Sequence, residues 1–342
     1  MDVLLLADVF EAFRGMALLN YKLDPAFYIT SPHLSFDAML RKTWGKLELI
    51  SDPAMFEMID GGIRGGVAMI STRYARANNE GMGELFDPTK PTSTIKGLDA
   101  NNLYGLAMSQ HLPDGQFTWV PLAELEAIKW EEQKDEQEVG YILQVDLDYP
   151  AELHALHNDL ALAPERVYVQ NEWFSEKQVF LRAQYNLPRT DFNAKLIPNL
   201  MNKKKYTVDY RLLKFYIQHG MILRKIHRGV KYHQRPWMAP YIAINQELRE
   251  QAKTPFQKDV FKLMNNSVFG KTCENQKKRT SISLVTNEQK FRQLVAKPQF
   301  MDARIYSENL CAVESKKSRL WINKLFYVGF CVLELAKLHM YR

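Results

Sequence analysis

The chain has 342 residues, 46% of them apolar and 25% charged, which excludes wholesale disorder and is enough for two or three compact units around a sizeable core. Lys and Arg exceed Asp and Glu by 45 to 39; a net charge of +6 favours a polyanionic partner over a cationic one, although many soluble proteins carry as much. Three scattered cysteines, Cys273, Cys311 and Cys331, exclude a disulfide framework or zinc cluster and point to a reducing, intracellular compartment, the nucleus among those open. No apolar run reaches the length of a membrane span, so no membrane partner is expected, and a start without a basic leader and interrupted by Asp8 does not read as a signal peptide.

Residues 2–16 read as a helix, with Leu5, Leu6, Val9, Phe13 and Met16 on one apolar face and Asp8, Glu11 and Arg14 off it. A loop with Pro25 and Pro32 leads to a helical stretch at 34–43, and 46–50 is expected to be a short strand. Ser51-Asp52-Pro53 signals a helix start and Gly61-Gly62 its end. Residues 67–74 suit a strand, 75–91 a polar loop, and 93–99 a strand that ends at Asp99. An acidic helical segment at 122–138 precedes a strand at 140–147. A basic stretch begins at Lys195; 208–219 are helical, and 221–233 read as strand and turn. Two helices, 240–253 and 255–268, meet near Thr254-Pro255, because proline is excluded from a helix interior. Beyond Lys271 the chain reads as basic and looped, up to an apolar helix at 326–341.

The first chemical pattern is Leu98-Asp99-Ala100-Asn101-Asn102-Leu103-Tyr104-Gly105. An apolar run closing on an aspartate puts a carboxylate at a strand end, where a metal can be held; an ordinary strand-to-turn aspartate looks the same. The second runs from Lys262 to Lys271. A helix sets Lys258 and Lys262 on one face, able to hold a triphosphate, and a solvated basic face is the plainer reading. Gly270 leaves room for backbone or a base pair to approach. The third, Gly61-Gly62-Ile63-Arg64-Gly65-Gly66, lacks P-loop spacing but can form a tight turn with amides facing an anion, or a plain glycine turn. Lys203-Lys204-Lys205 suit sequence-independent phosphate contacts or a solvated basic turn. Asp146 and Asp148, and His154 and His157, are not expected to hold a metal.

Together these strings resemble the protein-primed family B DNA polymerases of self-synthesising transposons, adenoviruses, linear plasmids and some bacteriophages, the transposon group most. The family's palm motif D-x-x-S-L-Y-P is matched by Asp99 to Gly105, with Asn102 for serine and Gly105 for proline. Its fingers motif K-x-x-x-N-S-x-Y-G, the most specific part, is matched by Lys262, Asn266, Ser267, Phe269 and Gly270, with Phe for Tyr. Its Y-x-G-G turn is matched by Ile63 to Gly66 without the tyrosine. The resemblance covers essentially the whole chain.

The resemblance implies an α+β palm and fingers with insertions and an incomplete palm sheet. Its parts would be an exonuclease remnant at 1–17, a connection and first palm strand at 18–105, and an insertion with palm at 106–220 that grips DNA and terminal protein. Palm at 221–241, fingers at 242–270, a second insertion at 271–320 and a truncated palm helix at 321–342 would follow. It implies template-directed DNA polymerisation with Mg2+ or Mn2+, with DNA template and primer, deoxynucleoside triphosphates and a terminal-protein primer as partners. Asp99 would bind metal, helped by the Ala100 carbonyl. Leu103 and Tyr104 would meet the nucleotide, Tyr104 lying under the sugar. Lys258 and Lys262 would neutralise the triphosphate, and Asn266, Phe269 and Gly270 would line the base pair. Arg64, Gly65 and Gly66 would touch the template backbone, and Lys203, Lys204 and Lys205 the DNA. The family also needs an aspartate pair in a D-T-D hairpin after the fingers. None follows residue 270, so the expectation is a fragment with an exposed sheet edge and little activity alone, the alternative being a relic that only binds DNA or a terminal protein.

Overall fold

The computed structural model describes residues 2–72, 74–187, 194–319 and 321–342. In chain order its first elements are α1 (Asp2–Tyr21), α2 (Ser31–Thr43), α3 (Pro53–Gly62), α4 (Leu103–Met108), β1 (Leu112–Trp119), α5 (Leu122–Ala127) and β2 (Val139–Asp148). Then come β3 (Glu165–Val167), α6 (Glu176–Gln184), β4 (Lys195–Ile197), β5 (Lys203–Asp209), α7 (Tyr210–Gln218) and β6 (Ile222–Arg235). The last are α8 (Ala239–Gln251), α9 (Pro255–Thr272), β7 (Thr280–Val285), α10 (Glu288–Val295), β8 (Phe300–Ser307), β9 (Leu310–Lys316) and α11 (Phe326–Tyr341).

The class is α+β, as expected. Its centre is a four-stranded antiparallel sheet in the order β1-β6-β2-β5. In β2, Ile142, Leu143, Val145 and Leu147 are all fully buried, so both faces of this central strand are covered. Helix α11 is apolar all round and buried from Phe326 to Leu338, which makes it a core helix; it packs against β1, β5, α3, α4, α7 and α9. Its two buried charges, Glu334 and Lys337, pair with each other at 2.6 Å.

Helices α8 and α9 form an antiparallel hairpin. Pro255 occupies the first turn of α9, and Thr254 and Gln257 close a capping box around it. Tyr241 Oη donates to the Met264 carbonyl at 3.0 Å, and Asn245 Nδ2 to Asn265 Oδ1 at 2.7 Å, tying the two helices across their buried seam. Tyr21 Oη then donates to Asn245 Oδ1 at 2.6 Å, which anchors α1 to the same seam.

Several expectations fail. No strand forms at 46–50, nor among the described residues of 67–74, where Arg73 lies outside the described residues. Nor does one form at 93–99, where a single bridge, Asn78 to Ser93, is the only ladder contact. The β-branched composition is present but no second strand lies alongside, and an unpaired strand has no hydrogen bonds to hold it. Asp99 therefore sits in exposed coil, not at a strand end, and the exposed sheet edge expected there does not exist. The 122–138 segment is helical only in pieces, at α5 and Trp130–Glu132. The stretch after Lys271 is not mainly loop: β7, β9 and β8 form a three-stranded antiparallel sheet beneath α10. Helix α1 forms, but Leu5, Leu6 and Val9 on its expected buried face are 57%, 69% and 50% exposed, since little packs beside its first turns.

Candidate functional site: a cleft between the Asp99 loop and the helix hairpin

Asn102 caps the short helix α4 from the left-handed region, at φ 53°, and its side-chain oxygen accepts from the Gly105 amide at 3.2 Å. Asparagine tolerates that backbone better than most residues. A Cβ at position 105 would collide with the Asn102 carboxamide, which explains glycine there. This cap sets the Asp99-to-Leu103 loop against α8 and α9.

Along α9 the spacing of four leaves Lys258, Lys262 and Asn266 exposed in one stripe while Val260, Phe261, Met264 and Val268 face the core. The two strings thus meet in one cleft of about 1080 Å3. Asp99, Ala100, Leu103 and Tyr104 line one side, and Lys258, Lys262, Asn266 and Phe269 the other. Between them the Tyr104 and Phe269 rings stack with centroids 4.1 Å apart. Neither Lys258 nor Lys262 makes an ion pair with a described residue, and both line the cleft together with the carboxylates of Asp99 and Glu250. Gln246, Arg249 and Glu250 of α8 complete the wall. The sequence reading missed them, though their i, i+3, i+4 spacing puts them on one helical face. Gly270 is exposed and is not part of this wall.

The other expected residues lie elsewhere. Residues 63–70 run without a turn, and neither Gly65 nor Gly66 takes a positive φ, so no tight glycine turn exists there. Arg64 is buried instead: its guanidinium lies 3.7 Å over the Tyr206 ring, and Nη1 donates to the Thr207 carbonyl at 2.9 Å. Lys203 cannot serve as a free phosphate ligand. It is 1% exposed, donates to Glu165 Oε2 at 3.0 Å, and bonds Asn199, and burial lowers its pKa. Lys203 turns inward while Lys204 and Lys205 are both exposed, because the strand is irregular here: Lys205 has φ 49° and the register with β2 shifts between Val145 and Leu147. Asp146 is occupied by the Lys205 amide at 2.7 Å and His227 Nε2 at 2.8 Å. His157 Nδ1 is bonded to Tyr149 Oη at 2.9 Å.

The chemistry of the donor set bears on the implied metal. Asp99 and the Ala100 carbonyl can offer oxygens to one Mg2+ that arrives with a triphosphate. Among the described residues there is no group of three or more His, Cys, Asp or Glu that could hold a metal ion. These residues do not fit a two-ion centre.

No family model matches the chain, and no curated protein matches it. Among solved structures it is similar to "Phi29 DNA Polymerase, orthorhombic crystal form", at 12% identity and a TM-score of 0.47, over 93% of this chain and 46% of that one. It is also similar to "Phi29 DNA polymerase complexed with primer-template DNA (post-translocation binary complex)", at 14% identity and a TM-score of 0.47, over 94% and 45%. The chain thus spans under half the length of these structures' chains. At this identity and TM-score the likeness assigns no residue a role.

Proposed function

We propose that the chain is the nucleotide-binding core of a template-directed DNA polymerase of the protein-primed family B type, transferring deoxynucleotides to a 3′-hydroxyl. The observation that carries this reading is the cleft itself: two strings far apart in sequence, matched to the palm and fingers motifs, line one cavity of about 1080 Å3. In this reading the four-stranded sheet with α11 is the palm and the α8–α9 hairpin the fingers. Lys258 and Lys262 are point charges for a triphosphate, and Arg249 lies in the same wall. Asn266 and the Phe269 ring meet the base, and Tyr104 lies against the sugar. Asp99 would ligate a metal brought in with the nucleotide. DNA template and primer would follow the exposed cations Lys204 and Lys205.

Asp99 is the one carboxylate the palm string brings to this cleft, which favours a second reading: a chain that binds nucleotide and DNA without transferring. Primer extension with Mg2+ or Mn2+, run beside equilibrium binding of a deoxynucleoside triphosphate, separates the two. Incorporation that is lost in Asp99→Asn supports transfer. Binding that needs Lys262, with no incorporation, supports the second reading. A chain that binds neither nucleotide nor primer-template DNA sinks both.

A further inference from the structure

Asn265 lies inside the fingers string at a position that its motif leaves open. It lines the Asp99 cleft and is 5% exposed. Its Oδ1 accepts from Asn245 Nδ2 at 2.7 Å, and Asn245 Oδ1 accepts from Tyr21 Oη at 2.6 Å. Asn245 and Tyr21 are both essentially buried, so this chain of bonds is fixed at its inner end. The phenol donates, so Asn245 gives its oxygen to Tyr21 and its nitrogen to Asn265. That order holds the Asn265 carboxamide with its oxygen inward.

The nitrogen of the same carboxamide is left over. Asn265 Nδ2 donates to no described residue, and it is not among the buried polar atoms sealed from solvent without a partner. On a side chain this deeply buried, the remaining opening is the cleft it lines. The cleft thus receives one unpaired, pre-oriented donor, and its ligand there should carry an acceptor.

Its place along α9 says which acceptor. Asn265 follows Lys262 by about 4.5 Å along the helix axis and precedes Phe269 by about 6 Å, at 1.5 Å per residue. Spacings of three and four keep the three side chains on one face. A nucleotide with its phosphates at Lys258 and Lys262 and its base at the Phe269 ring brings its sugar opposite Asn265. The free hydroxyl of a deoxyribose is the one at 3′, and its oxygen accepts hydrogen bonds.

We propose that Asn265 Nδ2 donates to the 3′-oxygen of a deoxynucleoside triphosphate in the cleft, and that Asn245 and Tyr21 are positioning residues that hold the amide in that orientation. The inference rests on the reading of the cleft as a triphosphate site and adds to it a residue that reads the sugar.

The test is competition at equilibrium, on the full chain with Mg2+ and without DNA. A deoxynucleoside triphosphate with a fluorescent base is displaced by dATP or by ddATP, which lacks the 3′-oxygen. Wild type should prefer dATP roughly 3- to 10-fold, the worth of one neutral hydrogen bond. Asn265→Asp keeps the oxygen that Asn245 needs and loses the donor. Its added charge weakens both competitors alike, so the ratio is the readout, and it should fall to about one. Asn265→Ala should give the same ratio and serves if the aspartate variant does not melt cooperatively. Tyr21→Phe should lower the ratio while ddATP binds as to wild type; a loss of stability alone would not change it. Lys262→Ala should weaken both competitors and keep the ratio. Equal binding of dATP and ddATP by wild type, with both dependent on Lys262, overturns this proposal and leaves the triphosphate site standing. So does a folded Asn265 variant that keeps the wild-type preference. A ratio unchanged in Tyr21→Phe overturns the positioning role of Tyr21. Triphosphate binding that is absent, or indifferent to Lys262, overturns the triphosphate site and this inference with it.

Discussion

The ring of Tyr104 lies 4.1 Å from that of Phe269 with the planes 16° apart, so one stacked pair joins the Asp99 loop to the α8–α9 hairpin. Such pairs are worth ~0.5–1.5 kcal/mol beyond the area they bury. Tyr104→Ala or Phe269→Ala should therefore weaken triphosphate binding roughly 2- to 10-fold. The double variant should lose less than the sum, because the second truncation removes a partner already lost. Titration with a fluorescent deoxynucleotide measures this; strictly additive losses would show that the stack does not couple the two motifs.

Asp209 and Arg211 dominate the polar core. Both are essentially buried, and Arg211 Nε and Nη2 each donate to the Asp209 carboxylate at 2.8 Å. Tyr232 Oη donates to the same carboxylate at 3.1 Å, and Arg211 Nη1 to the His111 carbonyl at 2.8 Å. Arg211→Met leaves a buried carboxylate without its cation and should cost ~3–5 kcal/mol in urea unfolding. Arg211→Met with Asp209→Asn should recover part of that loss. If the single and double variants melt alike, the cost lies in packing and not in the stranded charge.

The elements easiest to read from sequence were those whose signals are local. The Asp52-Pro53 start of α3, the Thr254-Pro255 boundary and the apolar run of α11 all appear where propensity and capping place them. The strands expected at 67–74 and 93–99 depended on a partner, and pairing is a tertiary fact that local alternation does not contain. The β7–β9–β8 sheet escaped although Ser281-Ile282-Ser283-Leu284 alternates as a strand does, because the basic residues ahead of it, Lys271 to Arg279, read as loop. The cleft was legible through its strings, because the i, i+4 lysines and the asparagine cap are local chemistry.

Glycine at 329 lets α11 touch the end of α9. A Cβ there would lie 2.5 Å from Cys273 Sγ and 2.9 Å from Thr272 Oγ1. Gly329→Ala should cost ~1–3 kcal/mol by overpacking. Gly15→Ala, mid-helix in α1 with nothing within 4 Å of the new methyl, should stabilise by up to ~1 kcal/mol. Thermal unfolding of the two variants should move in opposite directions; a neutral Gly329→Ala would mean that the α9 terminus yields without loss.

The acid limb of stability should carry a signature of Glu274. Arg279 Nε donates to its Oε1 at 2.9 Å and Lys271 Nζ lies 2.7 Å from its Oε2, and these cations hold the carboxyl down to about 2. An unfolded glutamate titrates near ~4.3. Because the folded value is the lower one, the contribution is complete above the unfolded value and is lost as pH falls from about 4.5 towards 2. The side chain is 29% exposed, so solvent screens part of the interaction and the contribution is modest. Glu274→Gln keeps the shape and removes the charge. Its stability deficit relative to wild type should be constant at neutral pH and shrink steadily through that acid window. Asp24, held down by Arg14 in the same way, contributes to acid unfolding of both proteins and cancels in the difference. A deficit that persists undiminished at the acid end would assign it to lost packing around the α9 terminus and not to the ion pairs.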